Sequence, residues 1–182
     1  MVLSTDDVQL FYKLWLPLVD YVNRKYRSGS KFKPMAGPKG LDINIVKEVA
    51  NKMWDDVSVI DEYLTAAADD MTPEHQDIVR GWKRRIRGKF VLERNLKKGS
   101  IFISMDDEQV YQVSGITSSW GEMFYDAPLP ILMEATLIPF KDVIISDGLV
   151  MPYRVVIGST MARGFKDIYM SAKKNGKLHI KL

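Results

Sequence analysis

Apolar residues recur every three or four positions as far as Ile86 and every second position from Lys89 onward, so the chain reads as helices followed by strands. In the first segment Val8, Phe11, Tyr12, Trp15, Val19, Val22 and Tyr26 share one helical face. Ser4 or Thr5 can cap it, and Asp6 and Asp7 sit in the first turn, where negative charge complements the helix dipole. Pro17 interrupts the pattern and predicts a kink or break, because proline brings no N–H and crowds the preceding turn. Residues 27–40 concentrate Gly, Pro, Ser and Lys and read as a mobile loop. Val46, Val49, Met53, Val57, Ile60 and Leu64 then predict one long second helix, capped by Asp42 or Asn44. A third has Thr72 as N-cap, Pro73 in the first turn, a stripe of Ile78, Trp82 and Ile86, and Gly88 just past its end.

The second half predicts strands over 89–96, 100–105, 109–116, 131–138, 142–147, 150–157 and 177–182. Lys98-Gly99 and Met105-Asp106-Asp107 read as turns. Asp147-Gly148 predicts a tight hairpin, since a type I′ turn needs positive φ at both central residues. One helix interrupts the strands: Ser159 or Thr160 caps it, Met161, Phe165, Ile168 and Ala172 form its stripe, and Asn175-Gly176 ends it. The alternating tail Leu178, Ile180, Leu182 predicts an edge or closing strand. The fold class is therefore α+β. A three-helix unit (1–88) packs on a mostly antiparallel, curled or barrel-like sheet with one further helix (89–182), the two sharing a core.

Composition narrows the chemistry. The 182 residues contain no cysteine, which excludes disulfides, thiolate nucleophiles, Fe–S clusters and Cys-ligated zinc. No apolar run is long enough for a membrane span, since residues 127–140 are broken by Pro128, Pro130 and Glu134. The first residues show neither a basic nor an apolar leader region, so a cytoplasmic protein is expected. The net charge of +3 is unevenly placed: residues 1–79 sum to −4, residues 80–98 to +8 and residues 99–182 to −1.

The central run holds nine bases (Arg80, Lys83, Arg84, Arg85, Arg87, Lys89, Arg94, Lys97 and Lys98) against Glu93. Arg80, Lys83, Arg84 and Arg87 fall on adjacent helical faces and Lys97 and Lys98 on a turn, an arrangement that can track phosphates, with Trp82 or Phe90 as a stacking surface. The competing reading is structural. Cations in a helix's last turn offset the dipole, Trp82 belongs to an apolar stripe, and the acidic helical half offers partners. Lys31, Lys33 and Lys39 can extend the ridge.

A second constellation follows from strand parity. Arg94 alternates in phase with Phe90 and Leu92, Glu134 with Leu132 and Ile138, and Arg154 with Val156. Were those faces all turned inward, two guanidiniums and a carboxylate would meet inside the barrel, near Tyr111 or Tyr153, and require one another or an anionic ligand. Were each strand an edge, or the parity to flip at a bulge, the charges would be wet.

Other chemistries find no support in the pattern. His75 and His179 lack metal-ligand spacing, the acidic pairs lack the spacing of a calcium loop, and no Gly-rich phosphate loop or Gly-x-Ser-x-Gly elbow occurs. No metal and no cofactor are expected. Residues 129–149 (LPILMEATLIPFKDVIISDGL) resemble a segment of an uncharacterised bacterial protein family, a likeness that implies a hairpin and no activity. The expected function is that of a non-catalytic interaction module using the basic ridge to contact an acidic protein or nucleic acid. A small-molecule binder or enzyme built around Arg94, Glu134 and Arg154 is the alternative. The apolar hairpin at 137–145 suggests a homodimer edge.

Overall fold

The computed structural model describes residues 1–26 and 43–182, so the loop with Lys31, Lys33 and Lys39, and Asp42, lie outside the described residues. Among the described residues six α-helices and seven strands make it α+β, and their contacts divide them into two units, Thr5–Lys83 and Met1–Ser4 with Arg84–Leu182.

In the helical unit, α1 (Thr5–Tyr26) runs through Pro17 without a break. The buried face of Leu14, Trp15, Leu18, Val19 and Val22 straddles the proline, and its burial outweighs the roughly 3 kcal/mol that an internal proline costs. The long second helix is instead two, α2 (Ile43–Asp55) and α3 (Ser58–Ala66). Asp56 divides them. Its carboxylate accepts hydrogen bonds from the Ser58 amide (3.1 Å), the Ser58 hydroxyl (2.6 Å) and the Tyr26 hydroxyl (2.9 Å). A short acidic side chain that bonds its own neighbours draws the backbone out of the helix while the apolar spacing continues.

Helix α4 (Pro73–Gly81) begins as its sequence indicates, with the Thr72 hydroxyl accepting from the His75 amide at 3.3 Å. It ends earlier than expected. A 3-10 turn, Trp82–Arg84, leads directly into β1 (Ile86–Leu96), so Gly88 lies in a strand and Ile86 opens it. The core of this unit is aromatic: Trp15 stacks on Phe11 and Trp54 and meets Trp82 edge-on, at ring separations of 5.8, 5.7 and 5.6 Å.

The second unit is a barrel. Strands β1, β2 (Gly99–Ser104), β3 (Val110–Ser114), β4 (Ile131–Phe140) and β5 (Val143–Ser146) close a ring in the order β1-β2-β3-β5-β4, with β1 also paired to β4. All these pairings are antiparallel except β3–β5, where Val113 lies beside Ile144. A short helix, α5 (Trp120–Met123), stands between β3 and β4, held by a capping box between Ser119 and Glu122. The five strands thus close a ring in which β3–β5 is the one parallel contact.

Phe90, Phe102, Val113, Trp120, Met133 and Leu137 fill the interior. Val91, Ile101, Ile103 and Val110 point to the opposite side of β1–β3. There they pack against Phe165 and Tyr169 of α6 (Ser159–Lys174). The chain's last helix thus covers the outer face of the three strands. After it, β7 (Leu178–His179) joins β3 in parallel, with Val110 beside Leu178, on the edge that β5 occupies further along. The N-terminus also belongs here: the Leu3 amide donates to Gly115 O, and the Gly115 amide to Met1 O.

Three expectations change. The 150–157 strand contracts to β6 (Met151–Pro152) on β4, because Pro152 offers no amide and the Val155 amide turns back to Tyr153 O. Asp147-Gly148 is a turn, with Gly148 at φ +81° and the Leu149 amide bonded to the Asp147 carboxylate, but it is no hairpin. The real hairpin joins β4 to β5 through Lys141-Asp142, with Lys141 at φ +50°. Finally, neither Ser159 nor Thr160 caps α6; Gly158 occupies that position without a side-chain bond. Met161 is exposed, and Tyr169 takes its expected place beside Phe165 in the buried stripe.

Candidate functional site

The basic run 80–98 spans a helix, a 3-10 turn, a strand and a turn. Arg80 lies on α4, Lys83 and Arg84 in the 3-10 turn, Arg87 on β1, and Lys97 and Lys98 in the β1–β2 turn. Arg84 and Arg87 therefore do not share helical faces with Arg80. Along β1, the ten residues from Arg87 to Lys97 correspond to roughly 30 Å of extended chain.

Much of this charge is internally matched. Arg80 pairs with Asp77 at 2.6 Å and Lys83 with Asp61 at 2.5 Å. Arg94 takes both carboxylate oxygens of Glu93, one at 2.8 Å, and lies over the Tyr169 ring at 4.4 Å. The Glu93 bond raises the Arg94 pKa, fixing its positive charge. Lys89 approaches the Tyr153 ring at 5.6 Å. Lys97 and Lys98 are exposed, and among the described residues neither has an ion-pair partner.

Arg94, Glu134 and Arg154 do not meet inside the barrel. The register of β1 on β2 shifts between Leu92 and Arg94, and this bulge turns Arg94 away from the Phe90 and Leu92 side, onto the face under α6. On β4 it is Ile131, Met133, Ala135 and Leu137 that face the core, so Glu134 faces outward opposite Lys89. Its carboxylate accepts from the Tyr153 hydroxyl at 2.5 Å, which raises the Tyr153 pKa by stabilising the protonated phenol. Arg154 is exposed and lines an external groove of about 330 Å³ with Phe124, Leu129, Pro130, Val155 and Val156. Tyr111 is buried in the interior cluster.

The histidines are also placed. His75 stands in the first turn of α4. His179 stacks on Tyr111 at 5.2 Å, and its Nε2 lies 2.8 Å from Gln109 Oε1. No group of His, Asp and Glu among the described residues could hold a metal. No helix among them is long and apolar enough to cross a membrane. The 137–145 hairpin offers no free edge at β5, which pairs on both sides, and Leu137, Ile138, Phe140, Ile144 and Ile145 are all buried.

One charged surface escaped the sequence reading. Residues 159–182 hold six bases against Asp167, a local +5 concealed in the −1 total of residues 99–182. Arg163, Lys166, Lys173 and Lys174 are exposed on α6, and among the described residues none has an ion-pair partner. The helical wheel could have found them, since Phe165 alone fixes which face is inward. Comparisons with family models, curated proteins and solved structures return no match to this chain.

Proposed function

We propose that the protein is a non-catalytic interaction module that contacts an acidic partner, nucleic acid, through its phosphate backbone. What supports this reading is the strand order β1-β2-β3-β5-β4, which resembles that of oligonucleotide/oligosaccharide-binding (OB) barrels, with the unpaired Lys97 and Lys98 on the β1–β2 turn. In barrels of this connectivity that turn borders the ligand. Connectivity alone assigns no function, so the argument rests on these lysines. Phosphate contacts need little more than accessible, unneutralised cations, and their strength declines as salt rises. The test is fluorescence anisotropy with labelled single- and double-stranded DNA and RNA at about 50 and 200 mM salt. Binding that collapses at the higher salt is expected. Salt-insensitive binding, or none, overturns the reading.

A second reading follows from the external groove. Its apolar lining with Arg154 at hand suits a small ligand with an apolar body and an anionic head. Thermal shift against medium-chain carboxylates tests it. Stabilisation that disappears in Arg154→Ala supports it, and no stabilisation in the wild type removes it.

A further inference from the structure

We infer that the solvent face of α6 is the principal nucleic-acid contact surface of this protein, an inference that rests on the nucleic-acid reading above. Three observations converge on it. First, the outer β1–β3 face is apolar and already covered: Val91, Ile101, Ile103 and Val110 lie under Phe165 and Tyr169. A strand of nucleic acid cannot reach it while α6 is seated, so contact moves outward to the helix that covers it.

Second, the outer side of α6 has the right chemistry. Arg163, Lys166, Met170, Lys173 and Lys174 are all exposed. At 100° per residue they fall within an arc of about 100°, and Arg163 to Lys174 spans roughly 16 Å along the axis. At about 3.4 Å per phosphate along one strand, that length faces some five phosphates. Asp167, the one acid on the helix, stands at the flank of the arc and pairs with none of the four cations.

Third, the charge is available. Arg80, Lys83 and Arg94 already have carboxylate partners, whereas a phosphate approaching α6 displaces counterions alone. Counterion release is the main source of nonspecific affinity for a polyanion, so unpaired cations contribute most. A lipid surface is the poorer fit. An amphipathic helix binds membranes by sinking its apolar face, and that face of α6 is buried against the barrel.

The test uses the whole chain and two variants, Arg163→Gln/Lys166→Gln and Lys173→Gln/Lys174→Gln, with their combination. Affinity for a labelled oligonucleotide is measured across salt, and the urea midpoint reports whether each variant keeps its fold. The combined variant should lose about three to four units of the slope of log affinity against log salt, and each double variant about half of that. Wild-type slopes in both double variants overturn the α6 assignment and leave the nucleic-acid reading standing on Lys97 and Lys98. No oligonucleotide binding by the wild type overturns both. Binding to anionic phosphatidylserine vesicles without binding to oligonucleotide also overturns both, and assigns the helix to a lipid surface.

Discussion

Residues 80–98 and residues 159–182 are the two basic stretches of this chain, and, apart from the exposed Lys97 and Lys98 of the first and the paired Lys181 of the second, they treat their charge differently. In the first, Arg80, Lys83 and Arg94 are matched to Asp77, Asp61 and Glu93, and Arg94 also lies over Tyr169. In the second, four cations on α6 are exposed and unpaired, while Phe165 and Tyr169 anchor the helix to the barrel. Charge density along a sequence is thus a poor guide to available charge. What matters is how many carboxylates the fold brings within reach.

The largest expected effect tests the anchoring half of this contrast. Tyr169→Ala removes a buried ring that touches the β1–β3 face and underlies Arg94, and should cost about 3 kcal/mol by urea denaturation. A loss below about 1 kcal/mol would mean that α6 is only loosely seated.

Next comes the charge most closely tied to the fold. Arg94→Gln deprives Glu93, whose side chain is 7% exposed, of its partner. A poorly solvated carboxylate left without its cation should lower stability by about 2 kcal/mol, read from the urea midpoint at neutral pH. An unchanged midpoint would place this pair among the decorative ones.

Lys83→Gln should do much less. Its pair with Asp61 is 34% and 53% exposed, and water screens such pairs to about 0.2–1 kcal/mol. A double-mutant cycle with Asp61→Asn isolates the coupling. A coupling above about 2 kcal/mol would contradict the surface character of that pair.

The smallest effect concerns the one tail lysine that is paired. Lys181 donates to Asp142 at 2.6 Å, and this bond lowers the Asp142 pKa. A carboxylate whose folded pKa is depressed contributes stability above its unfolded value and loses it as pH falls through the folded one. Asp142→Asn should therefore be slightly less stable than wild type at pH 7, with the gap closing as the pH drops below about 4. A gap that widens on acidification would reverse the assignment.

Much of the architecture was legible in the residues. The switch of period from helix to strand, the Thr72-Pro73 start of α4 and the Asn175-Gly176 end of α6 depend on local chemistry and appear where the sequence puts them. The failures share a cause, which is that periodicity records burial but not backbone continuity. The stripe from Val46 to Leu64 runs unbroken across Asp56, yet the hydrogen bonds to Asp56 end one helix and begin another. The parity argument for Arg94 failed at a single bulge, which rotates every later side chain on β1. The ring of strands depends on pairings between distant residues, such as Val113 with Ile144, which no local pattern encodes.

The contrast between the two basic stretches is tested most directly by comparing oligonucleotide affinity in two charge-neutralised proteins at low salt. One carries Lys83→Gln and Arg94→Gln, and the other carries Arg163→Gln, Lys166→Gln, Lys173→Gln and Lys174→Gln. The first should bind within about twofold of wild type while unfolding at lower urea, and the second should bind at least tenfold more weakly with its urea midpoint unchanged. The opposite pattern, with affinity lost in the first protein and kept in the second, would contradict the account.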